Sequence, residues 1–273
     1  MNFNNIKTIF LTSLVATFGM YVVYLLANSF IPGAIWNGLA LSQSAVNVEY
    51  CEYNNPDSFF HQKINTYSNL AYFFFGVLVL TISKFDKDNQ IASGEISLKN
   101  FPELGFLLGA CFVYLCFGSS FFHGSLTLIG QRVDMNGTYG LTFLLVAIVL
   151  FHLFATKGLS KKTKNYLIVG LIALIFGFYA LAPLVSSKIL IPILILTQFA
   201  GMIIVFAKQP KKRFLSIALL SFACVLWAIK IRTDDVQKLN CDPKGLLQGH
   251  AIWHVLTAFS SFLCFAFFRF EKR

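Results

Sequence analysis

Apolar residues in this chain gather into eight long blocks separated by polar breaks. The blocks run Ile9–Phe30, Ile64–Ser83, Phe101–Phe122, Met135–Thr156, Tyr166–Val185, Ile189–Ala207, Phe214–Ile231 and Ala251–Phe268. Each approaches the roughly 20 residues that a helix rising about 1.5 Å per residue needs to cross a bilayer. The pattern therefore predicts an all-α fold, a polytopic bundle of transmembrane helices. No internal repeat, low-complexity tract or soluble domain interrupts it. The longest connection, Ile31–Lys63, holds Pro32, Gly33, Pro56 and a cluster of acids. The first block, with Lys7 ahead of it, has the outline of a secretory signal peptide. Its apolar stretch is too long and has no clear small-x-small cleavage site, so a retained helix is expected.

Composition supports the membrane reading. Of 273 residues, 56% are hydrophobic and 12% charged, with 31 Phe, whereas a soluble domain carries about 25% charged residues. Mean hydropathy is +0.68. The net charge of +10 does not mark a nucleic-acid binder, because the basic residues sit in short runs between apolar blocks and not on one face.

With eight spans both termini share a side. That side collects 15 of the 22 Lys and Arg: Lys7; Lys84, Lys87, Lys99; Lys157, Lys161, Lys162, Lys164; Lys208, Lys211, Lys212, Arg213; Arg269, Lys272 and Arg273. The other side holds Lys63, Arg132, Lys188, Lys230, Arg232, Lys238 and Lys244. The positive-inside rule makes the richer side cytoplasmic. The other faces a periplasm, a cell exterior or an organelle lumen, as in a bacterial inner membrane or the ER or Golgi.

Ionisable groups in such spans are costly and point to function. The third block runs on through Ser119 to His123, the fourth begins at Val133-Asp134, and the last begins Gln248-Gly-His250-Ala-Ile-Trp253-His254. All three ends lie at the non-cytoplasmic face. His250 and His254, four apart, share one helical face and can grip one metal ion. His123 completes a His₃ set that leaves a fourth tetrahedral position for water, the arrangement of a catalytic zinc site. Zinc lowers the pKa of such a water to roughly 7. Asp134 then suits an outer partner or the general base. Ser119, one turn from His123, suits a donor to a developing oxyanion. Together these are the parts of a metal-assisted acyl hydrolase.

Each residue also has a plainer reading. Two histidines at this spacing often bond neighbouring carbonyls, a Ser near a helix end bonds back one turn, and Asp134 can cap its helix. Their convergence on one face favours the metal. His152 sits near the opposite end of its span and reads as structural, and His61 has no partner at ligand spacing. In the first loop, the carboxylates and amides of Glu49, Glu52, Asn54, Asp57 and Gln62 offer either oxygen ligands for calcium or an ordinary solvated acidic surface. Four of the six Cys (Cys111, Cys116, Cys224, Cys264) lie within spans. Cys51 and Cys241 fall in non-cytoplasmic loops, as a bridge in an oxidising compartment or as two free thiols.

Four stretches resemble the alkaline ceramidases, within a superfamily of seven-span membrane hydrolases that also holds the progestin and adipoQ receptors. They are Cys51-Glu52-x-Asn54, Asn65-Thr66-x-Ser68-Asn69-Leu70, Ser119-x-x-x-His123 with Asp134 eleven residues on, and Gln248-x-His250-Ala-x-Trp253-His254-x-Leu256-Thr257. The resemblance implies zinc on His123, His250 and His254, Asp134 as base and Ser119 as oxyanion donor. It further implies calcium on Glu49, Glu52, Asn54 and Gln62, and a Cys51–Cys241 bridge. The chain departs from the family at Glu49, where Asp is usual, and at Gln62, where an acid is usual. It departs again at Trp227-Ala-Ile-Lys230, where the family carries W-N-x-D. Fewer charges weaken a calcium site. Residues 1–35 would be an added N-terminal helix, and residues 36–273 the seven-helix domain. The implied activity is zinc-dependent hydrolysis of ceramide-type membrane lipids to a sphingoid base and a fatty acid, with no protein partner or nucleic acid. The alternatives are a related zinc hydrolase acting on another amide or ester lipid, and a lipid receptor of the same superfamily with a structural metal.

Overall fold

A computed structural model describes residues 3–89, 96–155, 158–210 and 213–270. Thr156, the expected end of the fourth block, and Lys157, Lys211, Lys212, Lys272 and Arg273 lie outside the described residues. The helices are α1 Phe3–Phe30, α2 Gln43–Val46, α3 Lys63–Ser68, α4 Leu70–Asp88, α5 Pro102–Ser125, α6 Leu128–Phe154, α7 Lys161–Leu181, α8 Ser187–Lys208, α9 Leu215–Val236 and α10 Gly249–Arg269. With α3 and α4 counted as one segment, eight are long and apolar enough to span a membrane. The fold is an all-α polytopic bundle; among the described residues β-pairing is limited to two isolated bridges.

Burial differs sharply among the spans. In its most apolar stretch α5 is 61% buried, whereas α1 is 11% buried. The centre is thus built from α5 with α4, α6 and α10, and α1 turns most of its surface outward. Small residues let the central helices approach closely, as packing in lipid favours. A Cβ added to Gly76 of α4 would stand 3.1 Å from the Gly109 carbonyl, and one added to Gly109 of α5 would stand 3.0 Å from the Gly76 carbonyl.

The fourth span begins seven residues earlier than its apolar block. Leu126, with φ 56°, reverses the chain directly after α5, and the Thr127 hydroxyl accepts the Gly130 amide at 3.1 Å to start α6. Thr127, not Asp134, caps this helix. Asp134 lies almost two turns inside it, which removes the reading of that carboxylate as a cap. Hydropathy missed the boundary because Gln131, Arg132 and Asp134 make the first turns of α6 polar.

At the end of the bundle away from the three histidines, Asp86 of α4 and Arg269 of α10 form a buried ion pair. Arg213 donates there to the carbonyls of Phe267 and Phe268 at 3.1 and 2.9 Å, and His152 Nδ1 lies 2.8 Å from the Ile148 carbonyl. At the other end the long first connection folds over the helix ends. Asn28 of α1 accepts from Ser58 and from the Phe60 amide, and Tyr24 of α1 donates to Ser120 of α5 at 2.9 Å. Cys51 and Cys241 are bonded, with Cα atoms 5.7 Å apart and a sequence separation of 190. This link ties the loop before α3 to the segment before α10. Removing a native disulfide costs about 2 kcal/mol or more, roughly 4–8 °C in a chain of this size. Cys241→Ser should lower the thermal midpoint in detergent by about that amount; an unchanged midpoint would argue against a covalent tie.

Candidate metal centre

His123 sits in the last turn of α5, and His250 and His254 in the first two turns of α10. All three are buried, and one nitrogen from each lies within 4.8 Å of the others. His123 Nε2 and His250 Nε2 are 3.2 Å apart. A tetrahedral ion with Zn–N distances of about 2.05 Å would hold two such nitrogens roughly 3.3 Å apart, so the rings already stand at ligand spacing.

The partners of the outer nitrogens decide which nitrogen is free. The Gln62 side-chain carbonyl lies 2.7 Å from His123 Nδ1. A carbonyl only accepts, so Nδ1 carries the proton and Nε2 keeps its lone pair. The Ser68 hydroxyl donates to the Asn65 carbonyl at 2.8 Å and lies 2.7 Å from His254 Nδ1. With its proton spent, that hydroxyl accepts from His254 Nδ1–H, which again frees Nε2. His250 stacks on Tyr50 with ring centres 3.9 Å apart, and its Nδ1 is buried without a partner. With Nδ1 unpartnered, His250 Nε2–H can donate to the His123 Nε2 lone pair, and a cation can take the place of that proton. Partners of this kind are what orient histidine ligands around a metal.

Asp134 and Ser119 are not part of the ligand set. Arg232 of α9 acts electrostatically on Asp134, His250 and His254 alike. The Ser119 hydroxyl faces the Asp134 carboxylate but lacks full hydrogen-bond geometry to any protein atom. It does not bond back to the carbonyl one turn earlier, which removes the plain helical reading of this serine. A buried hydroxyl with its proton unspent can serve a ligand.

The loop residues are engaged with protein partners. Glu49 bonds Ser44 and pairs with Arg232 at 3.1 Å. Glu52 accepts the amides of Ile64 and Asn65 at 2.6 and 2.7 Å. Burial pushes the Glu52 carboxyl up to about 7, against the lowering effect of those amides. Asn54 accepts from Gln62 at 2.8 Å. Each oxygen expected for calcium therefore serves another donor, and Gln62 supports a histidine of the triad. Lys230 pairs with Asp234 on the exposed side of α9, and Trp227 is exposed.

Sequence reasoning missed Tyr50, Ser68 and Arg232 as neighbours of the triad. Ser68 sits inside a recognised motif and Arg232 is a cation at the expected face, but the sequence carries no signal for their contacts with rings almost two hundred and about twenty residues away. Among curated proteins and solved structures none matches the chain. The family model for Ceramidase matches residues 42–272, which takes in every helix after α1 and all three histidines. The chain belongs to the ceramidase family.

Proposed function

We propose that the protein is an integral-membrane, zinc-dependent amidase that cleaves ceramide-type lipids to a sphingoid base and a fatty acid. Family membership supports ceramide hydrolysis in general. The observation that carries the zinc dependence is the convergence of three buried imidazoles whose outer nitrogens on two of them are already held by Gln62 and Ser68. His123, His250 and His254 would hold the ion. When bound, zinc supplies Lewis acidity toward a carbonyl and lowers the pKa of a water to roughly 7.

The chain's own residues supply the rest. The Ser119 hydroxyl donates to the carbonyl oxygen as it gains negative charge. Asp134 takes the proton of the attacking water and passes it to the nitrogen as the C–N bond breaks and the C–O bond forms. The products are a free amine and a carboxylic acid. Charge asymmetry among the loops supports termini in the cytoplasm and a reaction at the periplasmic or lumenal face, with α1 as an addition to a seven-helix domain. Calcium is not part of this reading, because Glu49 faces the cation Arg232.

The test offers purified protein a panel of amide- and ester-linked lipids and measures released fatty acid, with and without a metal chelator. Amide lipids of the ceramide type should be cleaved, and the chelator should stop turnover. Preferential ester cleavage would shift the substrate class. Ligand binding without turnover, with the chelator changing only stability, would indicate a receptor.

A further inference from the structure

Beneath the triad, toward the bundle centre, lies a cavity of about 80 Å³ bounded by α4, α5, α6, α8, α9 and α10. Leu, Ile, Val and Phe line part of it, as a lipid chain requires, and two polar rows descend into it. On α10, His254 is followed by Thr257 and Ser261, three and seven residues on, along one helical face. On α6, Asp134 is followed by Thr138 and Thr142 at four-residue steps. Thr138, Thr142, Thr257 and Ser261 all line the cavity. The rows meet Gln198, at the middle of the 22-residue α8, which is only 4% exposed and also lines the cavity.

Polar side chains at mid-membrane depth are costly unless they have work to do. The threonines spend their protons on carbonyls of their own helices; Thr257 already accepts the Tyr72 hydroxyl at 2.6 Å, and Thr138 and Thr142 leave oxygen lone pairs to accept. The Gln198 side chain contacts the Cys264 thiol, a weak partner that occupies little of an amide's capacity of two donors and two acceptor pairs. The floor of the cavity thus offers both acceptors and donors. Ser261 lies seven residues below His254, about 10 Å along the helix.

We propose that this cavity selects a lipid chain bearing a hydroxyl about 10 Å from its amide carbonyl, with Gln198 and Ser261 as specificity-determining residues that bond that hydroxyl. A hydroxyl both donates and accepts, which matches the floor; a plain alkyl chain would leave Gln198 desolvated and unmatched. The proposal rests on the triad being the reaction centre.

The test compares two amide lipids that differ only in a mid-chain hydroxyl, using the full-length protein in detergent. Sites built to bond a hydroxyl discriminate strongly against chains that lack one, so kcat/KM should favour the hydroxylated lipid by on the order of tenfold or more. In Gln198→Leu that ratio should collapse toward unity. A wild-type ratio near one, or an unchanged ratio in a folded Gln198→Leu variant, overturns the proposal. A second readout does not need turnover: a hydroxylated free fatty acid should raise the wild-type thermal midpoint more than the unsubstituted acid does. Equal shifts would mean that the polar floor binds only water, and would overturn the proposal by themselves. If neither amide lipid is cleaved, the amidase reading fails while the midpoint comparison still decides the cavity's preference.

Discussion

His254→Ala should strip the metal from the protein and abolish lipid hydrolysis while the chain still inserts and folds. Ligand number decides the outcome. With His254 gone, one imidazole from α5 and one from α10 remain, and the Ser68 hydroxyl that oriented the lost ring has nothing to hold. Losing an outer partner alone typically costs 10–100-fold in metal affinity or activity, so losing a ligand should cost more. The insertion energy of α10 comes from its apolar residues and is barely altered by one side chain. Elemental analysis should find about one zinc per wild-type chain and little in the variant, with fatty-acid release at background. A variant that kept full turnover in detergent would end the metal mechanism. His254→Gln, which keeps much of the side-chain volume, separates loss of the ligand from loss of packing and should behave the same way.

Asp134→Asn should separate chemistry from metal binding. The carboxylate stands outside the ligand set yet shares the field of Arg232 with two of the histidines and faces Ser119. Asparagine keeps its shape and removes its capacity to take a proton. General acid–base contributions are typically 10²–10⁴-fold, so turnover should fall by about that much with zinc content unchanged. If turnover is unaffected, Asp134 is not the base. If zinc is lost as well, Asp134 supports the metal rather than the proton transfer. The paired outcomes distinguish a residue that holds the ion from one that acts beside it.

Much of the site was legible in the chain. The i, i+4 spacing of His250 and His254 puts both on one face whatever the surroundings, and counting spans brings His123 to the same end. Asp134 was read as helix-terminal but lies inside α6, because a helix start built from Gln131, Arg132 and Asp134 looks like a loop to hydropathy. Gln62 was read as an oxygen ligand in the first loop, whereas the structure directs its carbonyl to His123 Nδ1. A loop of acids and amides has many ways to satisfy itself, and composition does not choose among them. Thr138, Thr142, Gln198 and Ser261 each look like an ordinary polar residue tolerated within a span, and they become a path only when three helices face one cavity.

The amino-acid order by itself determined the number of spans, the all-helical class, the membrane setting and the end of the bundle where the histidines gather. These follow from transfer free energies and helical periodicity, which are local and accumulate residue by residue. Only the tertiary structure decided which imidazole nitrogens are free, that Ser119 keeps its proton, that Glu49 is claimed by Arg232, and that polar rows line a central cavity. Those outcomes depend on how each helix is rotated about its axis and how closely neighbours approach. Rotation and approach are set by packing small residues such as Gly76 and Gly109 against partners dozens of positions away, a collective property that no single stretch of sequence contains.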